Sequence, residues 1–262
     1  MSLNVRTVTA TRYVTPLREG GSLPAIVEAD DDGLYVLKFR GAGQGPKALI
    51  AELVAGETAR ALALPVPEIV FVELAGAFAD TEPDPEIQDL LRASVGLNLA
   101  LDYLPGSVTF DPLVERPSPE LASSIVWFDA YVTNVDRTAR NANMLMWHKR
   151  LWLIDHGAAL YFQHTWANYL ERSRAPFAHV KDHVLLSSAA LIREMDEALA
   201  ARLTPEVIGE IVSLIPDAWL GANSTFKDAS DERQAYVDYL VRRTEAPRLF
   251  AEEAARVRSS LV

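Results

Sequence analysis

Oxygen-bearing side chains lie on both sides of a short apolar hairpin near the middle of the sequence. Asp136 and Asn141 lie in a polar stretch before it, and Asp155 follows it within Asp155-His156-Gly157. A hairpin returns the chain to its starting point, so Asn141 and Asp155 are expected to converge, with Asp136 one loop turn away. Carboxylate and amide oxygens suit Mg²⁺, which also keeps waters and substrate phosphates. The alternative is that Asp136 and Asn141 only organise a solvated turn.

A lysine lies in an apolar strand upstream of that hairpin. Lys38 stands between Leu37 and Phe39, and strand alternation places it on the face of Val36. A lysine on a sheet face beside an acidic helix can hold a phosphate as a point charge. The competing interpretation is a lysine on an edge strand that extends to water.

Two glycine-containing segments could provide backbone N–H groups for an anion site. Gly20, Gly21 and Ser22 precede a predicted strand, and their backbone N–H groups could surround an anion, although this motif is weak. The segment 41–47 is richer in glycine but lacks the Gly-Lys-Ser/Thr ending of a P-loop, and Pro46 removes a donor. It is interpreted as a linker.

The elements that position these residues change in character after Pro105-Gly106. Before that point the pattern predicts mainly strands and two helices; after it, mainly helices and one hairpin. The Asp32-Gly33 pair favours a tight hairpin turn, and Ser118-Pro119-Glu120 is typical of a helix start. The predicted strands are 23–29, 34–39, 68–74, 97–104, 143–147 and 151–154, and the predicted helices are 47–64, 86–94, 118–133, 185–203, 205–214, 231–244 and 247–259.

Composition narrows the classes of protein. The 262 residues include 25 Lys and Arg against 36 Asp and Glu, a net charge of −11, which disfavours direct binding to nucleic acid. Cysteine is absent, which excludes disulfides and cysteine-built metal sites. No apolar run is long enough for a membrane span or a signal peptide. We therefore expect a cytoplasmic protein with no membrane partner.

The order of these features resembles the HipA-like kinase family, which has a protein-kinase-like fold and is related to phosphatidylinositol kinases and aminoglycoside phosphotransferases. The resemblance covers about residues 12–160 and is strongest from Asn134-Val135-Asp136-Arg137 to Asn141 and on to Asp155. It implies an α+β, two-lobed fold. The N-lobe, 1–104, would be an antiparallel sheet with one main helix that binds nucleotide, and the mostly helical C-lobe, 105–262, would carry the catalytic loop and bind the acceptor.

The resemblance also implies residue roles. Asp136 would be the catalytic-loop aspartate, and Asn141 and Asp155 would hold magnesium on the nucleotide phosphates. Lys38 would contact the α- and β-phosphates, and Gly20, Gly21 and Ser22 would form the phosphate-covering loop. Leu101 to Tyr103, with Leu101 and Tyr103 as the named contacts, would bind adenine through the backbone.

The glutamate that pairs with Lys38 is open between two residues of one predicted helix. The motif Glu52-Leu53-Val54 favours Glu52, which we prefer as the third catalytic residue. Glu57 lies mid-stripe among Leu53, Val54 and Ala61 on a helical wheel, so it stays the alternative.

The resulting expectation is an ATP- and Mg²⁺-dependent kinase that phosphorylates a hydroxyl, with Ser or Thr of a protein as the acceptor. The alternatives are a small-molecule kinase and a non-catalytic nucleotide-binding pseudokinase or interaction module. Two departures from relatives are His156, where protein kinases have phenylalanine, and the lack of an Ala-Pro-Glu segment. His179 and His183 have metal-site spacing, but a structural role is favoured for them.

Overall fold

The computed structural model describes residues 4–17, 23–43, 45–221 and 225–261. Five strands form a closed sheet in the order β1-β2-β3-β5-β4. Their bounds are β1 Thr7–Pro16, β2 Ala25–Ala29, β3 Leu34–Lys38, β4 Ile69–Leu74 and β5 Gly96–Asp102. The expected antiparallel sheet is mixed instead, because β1 pairs with β4 in parallel, whereas the other ladders are antiparallel.

Strand β1 was not predicted from the sequence. It buries only the small side chains of Val8 and Ala10, and most of its other residues are polar or exposed. Such a segment has a weak apolar signal of its own, so its conformation depends on backbone pairing with β2 and β4.

The hairpin of β2 and β3 forms where it was predicted. Asp32 adopts a φ of 61° at the turn, and Asp31 Oδ1 accepts a 3.0 Å hydrogen bond from the backbone N–H of Gly33. Strand β3 also pairs with β5, and Lys38 lies opposite Leu99 in this ladder. Lys38 therefore lies in a strand that is paired on both sides, and not in an edge strand.

The main helix of the first half, α1, spans Pro46–Ala61. Pro46 occupies the first turn, where its missing N–H costs no helical hydrogen bond, and Leu62 and Ala63 end the helix before Pro65 and Pro67. Residues Leu49 to Ala59 are all buried, because α1 packs against the sheet on one side and against C-terminal segments on the other. The shorter α2 spans Pro85–Ala93.

The second half is mainly helical. Its helices are α3 Pro119–Tyr131, α4 Tyr169–Arg172, α5 Ile192–Ala200, α6 Pro205–Ser213, α7 Ala229–Thr244 and α8 Leu249–Ser259. The Ser118 side chain accepts from the Leu121 N–H, as predicted for this helix start. The helix predicted over 185–203 begins only at Ile192, after 3₁₀ turns at Ala178–Asp182 and Leu186–Ser188. The hairpin of β7 Met144–Trp147 and β8 Arg150–Leu153 gains a third strand, β6 Val108–Thr109.

Two apolar cores cover the two faces of β4 and β5, and β3 contributes to one of them. Leu37 and Phe39 lie in the core enclosed by the five strands and α2, whereas Lys38 points the other way. The second core combines α1 with residues of α3 and α5 to α8. Packing thus runs across residue 104: Trp219 Nε1 donates to Leu97 O at 3.1 Å, and its ring meets Phe71 edge-on. In the described part of the chain no helix is both long and apolar enough to cross a membrane.

Candidate active site

Lys38 joins two carboxylates from distant parts of the chain. Its Nζ lies 2.6 Å from Glu52 Oε2 on α1 and 2.6 Å from Asp155 Oδ1. The Lys38 side chain is only 14 % exposed and Glu52 is fully buried, whereas Asp155 is 45 % exposed. Burial disfavours the charged amine, but both carboxylates outweigh this, so the pKa of Lys38 is raised and its charge is retained.

The structure places Glu52, and not Glu57, against Lys38. Glu57 is also buried, but its Oε1 lies 3.3 Å from Arg60 Nε on the same helix. Burial would raise the pKa of Glu52, yet the charge of Lys38 and the hydrogen bonds from His156 dominate and lower this pKa to about 2. Glu52 is therefore a buried anion held by its partners.

His156 attaches the segment after Asp155 to α1. Its backbone N–H donates to Glu52 Oε2 at 2.7 Å, and its Nδ1 lies 3.3 Å from Glu52 Oε1. A carboxylate accepts, so Nδ1 carries the proton, and Nε2 is buried with no partner among the described residues. The ring packs edge-on against Phe128. His156 thus fills an apolar position while it holds Glu52.

Asp136 lies in a loop whose side chains converge on one carboxylate oxygen. Its Oδ2 accepts from Asn141 Nδ2 at 2.7 Å and from Asn143 Nδ2 at 3.4 Å. Asn143 Nδ2 is also 3.4 Å from the backbone oxygen of Asp155. Asn143 therefore links the Asp136 loop to the segment that begins with Asp155, while the expected convergence of the Asn141 and Asp155 side chains stays a prediction. Asp136 Oδ1 has no hydrogen-bond partner within the described chain.

A buried ionic network lies behind this loop. Asp129 Oδ2 accepts from Arg137 Nε at 2.6 Å and from His183 Nε2 at 2.9 Å, and Asp129 Oδ1 accepts from Asn134 Nδ2 at 2.8 Å. The Leu185 N–H donates to His183 Nδ1, which fixes the His183 tautomer with its proton on Nε2. Burial would raise the pKa of Asp129, but Arg137 and His183 reverse this and lower it. Neither His183 nor His179 belongs to a metal cluster: the described residues contain no group of three His, Asp or Glu that could hold an ion.

Two oxygens at the site suit a divalent cation. Asn141 donates only through Nδ2 and is exposed, and Asp155 uses only Oδ1 for Lys38, so Asn141 Oδ1 and Asp155 Oδ2 have no partner among the residues described. Asp155 adopts a φ of 54°, a strained conformation that a functional position often carries. An amide and one carboxylate oxygen fit Mg²⁺, which takes few protein ligands.

The segment expected to bind adenine has fewer available groups than expected. Leu101 is 3 % exposed and lies between β3 and β4. The Tyr103 N–H donates to Leu34 O at 2.9 Å and the Asp102 N–H to Glu68 O at 2.8 Å. Tyr103 C=O and Leu104 N–H make no hydrogen bond within the described residues. Gly20, Gly21 and Ser22 lie outside the described residues.

Sequence reasoning missed several residues that position the site. Asn143 and Asn134 hold the Asp136 loop, and the segment's asparagine content is the only sequence signal for them. No sequence pattern indicated Gln163, which is buried and exchanges hydrogen bonds with Lys47 at the start of α1. Asp129 contacts the loop through the side chains of Asn134 and Arg137.

The fold is similar to those of solved kinase structures. The chain superposes on the proinflammatory kinase CtkA of Helicobacter pylori with a TM-score of 0.58 and 12 % identity, over 99 % of this chain and 100 % of that one. A Golgi casein kinase structure with Mn and ADP bound gives a TM-score of 0.52 and 10 % identity, over 97 % and 73 % of the two chains. These likenesses show a protein-kinase-like α+β fold.

No curated protein sequence matches the chain. A family model does: that of the HipA-like kinases, over residues 11–252. With its kinase fold and a match over most of its length, the chain belongs to the HipA-like kinase family.

Proposed function

We propose that this HipA-like kinase uses ATP and Mg²⁺ to phosphorylate a hydroxyl, with Ser or Thr of a protein as the acceptor. The observation that carries the proposal is the contact of Lys38 with both Glu52 and Asp155 beside the Asp136 loop. It places a retained positive charge and an exposed carboxylate at one position, where a nucleotide phosphate needs them. In this scheme residues 1–104 bind nucleotide and residues 105–262 provide the catalytic loop and the acceptor site.

The nucleotide would be held from three sides. Lys38 neutralises α- and β-phosphate oxygens while Glu52 fixes its ammonium. Gly20, Gly21 and Ser22 remain proposed for the phosphate-covering loop. Adenine would bind Tyr103 C=O and Leu104 N–H and not the Leu101 backbone. These two groups are an acceptor and a donor that make no hydrogen bond to the described residues.

Asp136 would accept the proton of the attacking hydroxyl. The hydroxyl oxygen forms a bond to the γ-phosphorus, the bond between that phosphorus and the β–γ bridging oxygen breaks, ADP leaves, and the proton passes to Asp136 Oδ1. Asn141 and Asn143 occupy Oδ2, so they orient the carboxylate with Oδ1 available.

Asn141 and Asp155 would hold the cation. When bound, Mg²⁺ would neutralise charge on the phosphates, and the ADP and Mn in the Golgi casein kinase structure support a nucleotide with a divalent ion. Lys38 and Asp155 contact each other directly, so the ammonium also holds this carboxylate in position for the ion.

The test is transfer of labelled γ-phosphate in a cell extract, followed by separation of macromolecules from metabolites. Label on protein Ser or Thr, abolished in Asp136→Ala, is the expected result. Label only on small molecules would show a small-molecule kinase. Stabilisation by Mg-ATP with no transfer from ATP would show a pseudokinase and contradict the proposal.

A further inference from the structure

A cavity opens beside the loop that carries Asp136. It has a volume of about 150 Å³, room for a phosphate or carboxylate group, and Thr133 and Val135 form one wall. Tyr161 forms another and is held to the loop, because its backbone N–H donates to Thr133 Oγ1 at 3.1 Å. Val135 is the residue immediately before Asp136 in the chain, so the cavity wall and the proposed base belong to the same loop.

The charged groups that line this cavity are all basic: Arg172, His179 and Arg243. The described lining contains no Asp or Glu, in a chain whose net charge is −11. Arg172 donates to Thr165 O and makes no ion pair with a described residue, and His179 is exposed. The remaining walls are apolar and aromatic, which strengthens an electrostatic contact made inside.

Arg243 is a buried cation that lacks a carboxylate partner. It is 2 % exposed, its guanidinium donates to backbone carbonyls, among them Ala130 O at 2.7 Å and Tyr131 O at 2.8 Å, and its Cζ lies 4.6 Å from the centre of the Phe250 ring. Arg137, also buried, has Asp129 as its counterion, whereas the described residues supply none to Arg243. A buried charge without a counterion is costly, and an anion in the adjoining cavity would compensate it.

We propose that this cavity holds an anionic group of the acceptor, a phosphate ester or a carboxylate, while the acceptor's hydroxyl faces Asp136. The inference rests on the proposed function, because it needs an acceptor at Asp136. It adds a substrate class, since acceptors with an acidic or phosphorylated neighbour next to the hydroxyl are preferred over neutral ones. Arg172 and His179 contact the anion, and Arg243 compensates it from behind.

The first experiment asks whether the cavity binds an anion. Inorganic phosphate is titrated into the full chain while the His179 ring signals are followed by NMR, assigned with His179→Gln. Phosphate is expected to shift these signals saturably, and Arg172→Gln is expected to weaken binding about tenfold. Arg116→Gln, an exposed arginine with no ion pair among the described residues, is the matched control with unchanged binding. Unmoved His179 signals, or equal weakening in both variants, would overturn the proposal.

The second experiment asks where the anion comes from. Paired peptides with an aspartate or an asparagine near the same serine are compared, and the wild type is expected to show a lower KM for the acidic one. Arg172→Gln reduces that preference about tenfold, whereas Arg116→Gln keeps it. Equal KM values for the two peptides would contradict the proposal. Mass spectrometry that finds the phosphate on this chain's own cavity segment, with shifted His179 signals, would assign the anion to the chain and overturn the acceptor as source. Phosphate binding without any phosphoryl transfer would contradict the proposed function alone.

Discussion

Glu52 Oε2 accepts the backbone N–H of His156 at 2.7 Å while the same oxygen lies 2.6 Å from Lys38 Nζ. One carboxylate of helix α1 therefore holds both the strand lysine and the segment that carries Asp155. A rotation of α1 that withdrew Glu52 would release both contacts, so the position of this helix is coupled to the positions of Lys38 and Asp155, the residues proposed to bind phosphate and metal.

That coupling predicts an acid-dependent loss of stability. Glu52 has a folded pKa of about 2 against an ordinary value of 4.5, so its contribution is present above pH 4.5 and lost as the pH falls through 2. The shift corresponds to a contribution of about 3 kcal/mol. Glu52→Gln should lower the free energy of unfolding at pH 7, measured with urea, and the difference from wild type should narrow towards pH 2.

The matched control is Glu57→Gln on the same helix. Glu57 pairs with Arg60, so this substitution leaves both carboxylate contacts of Lys38 in place. A difference between wild type and Glu52→Gln that stays constant from pH 7 to pH 2 would contradict the assigned partner of Lys38.

Removing the proposed base should slow phosphoryl transfer without weakening nucleotide binding. In Asp136→Asn the Asn141 contact can still be made to an amide oxygen, but the side chain no longer accepts a proton. We expect kcat to fall by about 10²- to 10⁴-fold, with the Kd for Mg-ATP unchanged. Single-turnover transfer and equilibrium nucleotide binding measure the two quantities. Unaltered kcat would exclude Asp136 as the base.

The dependence of activity on Mg²⁺ concentration should show whether Asn141 binds the cation. Asn141→Ala removes one exposed oxygen and leaves the core intact, so the Mg²⁺ concentration needed for half-maximal activity should rise, by about tenfold or more. Removal of Mg²⁺ with EDTA should abolish activity in the wild type. Asn4→Ala, at an exposed position with no hydrogen bond to a described residue, should titrate like wild type. Identical Mg²⁺ curves for Asn141→Ala and wild type would remove this residue from the metal site.

The buried network of Asp129, Arg137 and His183 should contribute more to the free energy of unfolding than an exposed ion pair does. Asp129→Ala leaves Arg137 buried without a counterion and removes the acceptor of His183, so we expect a loss of about 3–5 kcal/mol in unfolding free energy. Asp89→Ala breaks only the exposed pair with Arg92 and should cost less than about 1 kcal/mol. Urea titrations of the two variants compare a buried with an exposed aspartate. Similar losses in both would show that the buried pair adds nothing beyond a surface one.

Local sequence patterns were informative where contacts are close in the chain. The β2–β3 hairpin follows from Asp32-Gly33, and the α3 start follows from Ser118-Pro119, because turns and caps depend on a few adjacent residues. Strand β1 and the 3₁₀ turns before α5 were missed, since their conformations depend on pairing and packing with distant segments.

By itself, the sequence predicted the residues that carry the chemistry, Lys38, Asp136, Asn141 and Asp155, and the hairpin that lies between the last two. Only the tertiary structure decided between Glu52 and Glu57, because that choice depends on the rotation of α1 about its axis against the sheet, and most of the helix is buried on all sides. It also showed how Asp129, Arg137 and His183 pair behind the loop, since a charge meets its buried partner by spatial proximity and not by sequence spacing.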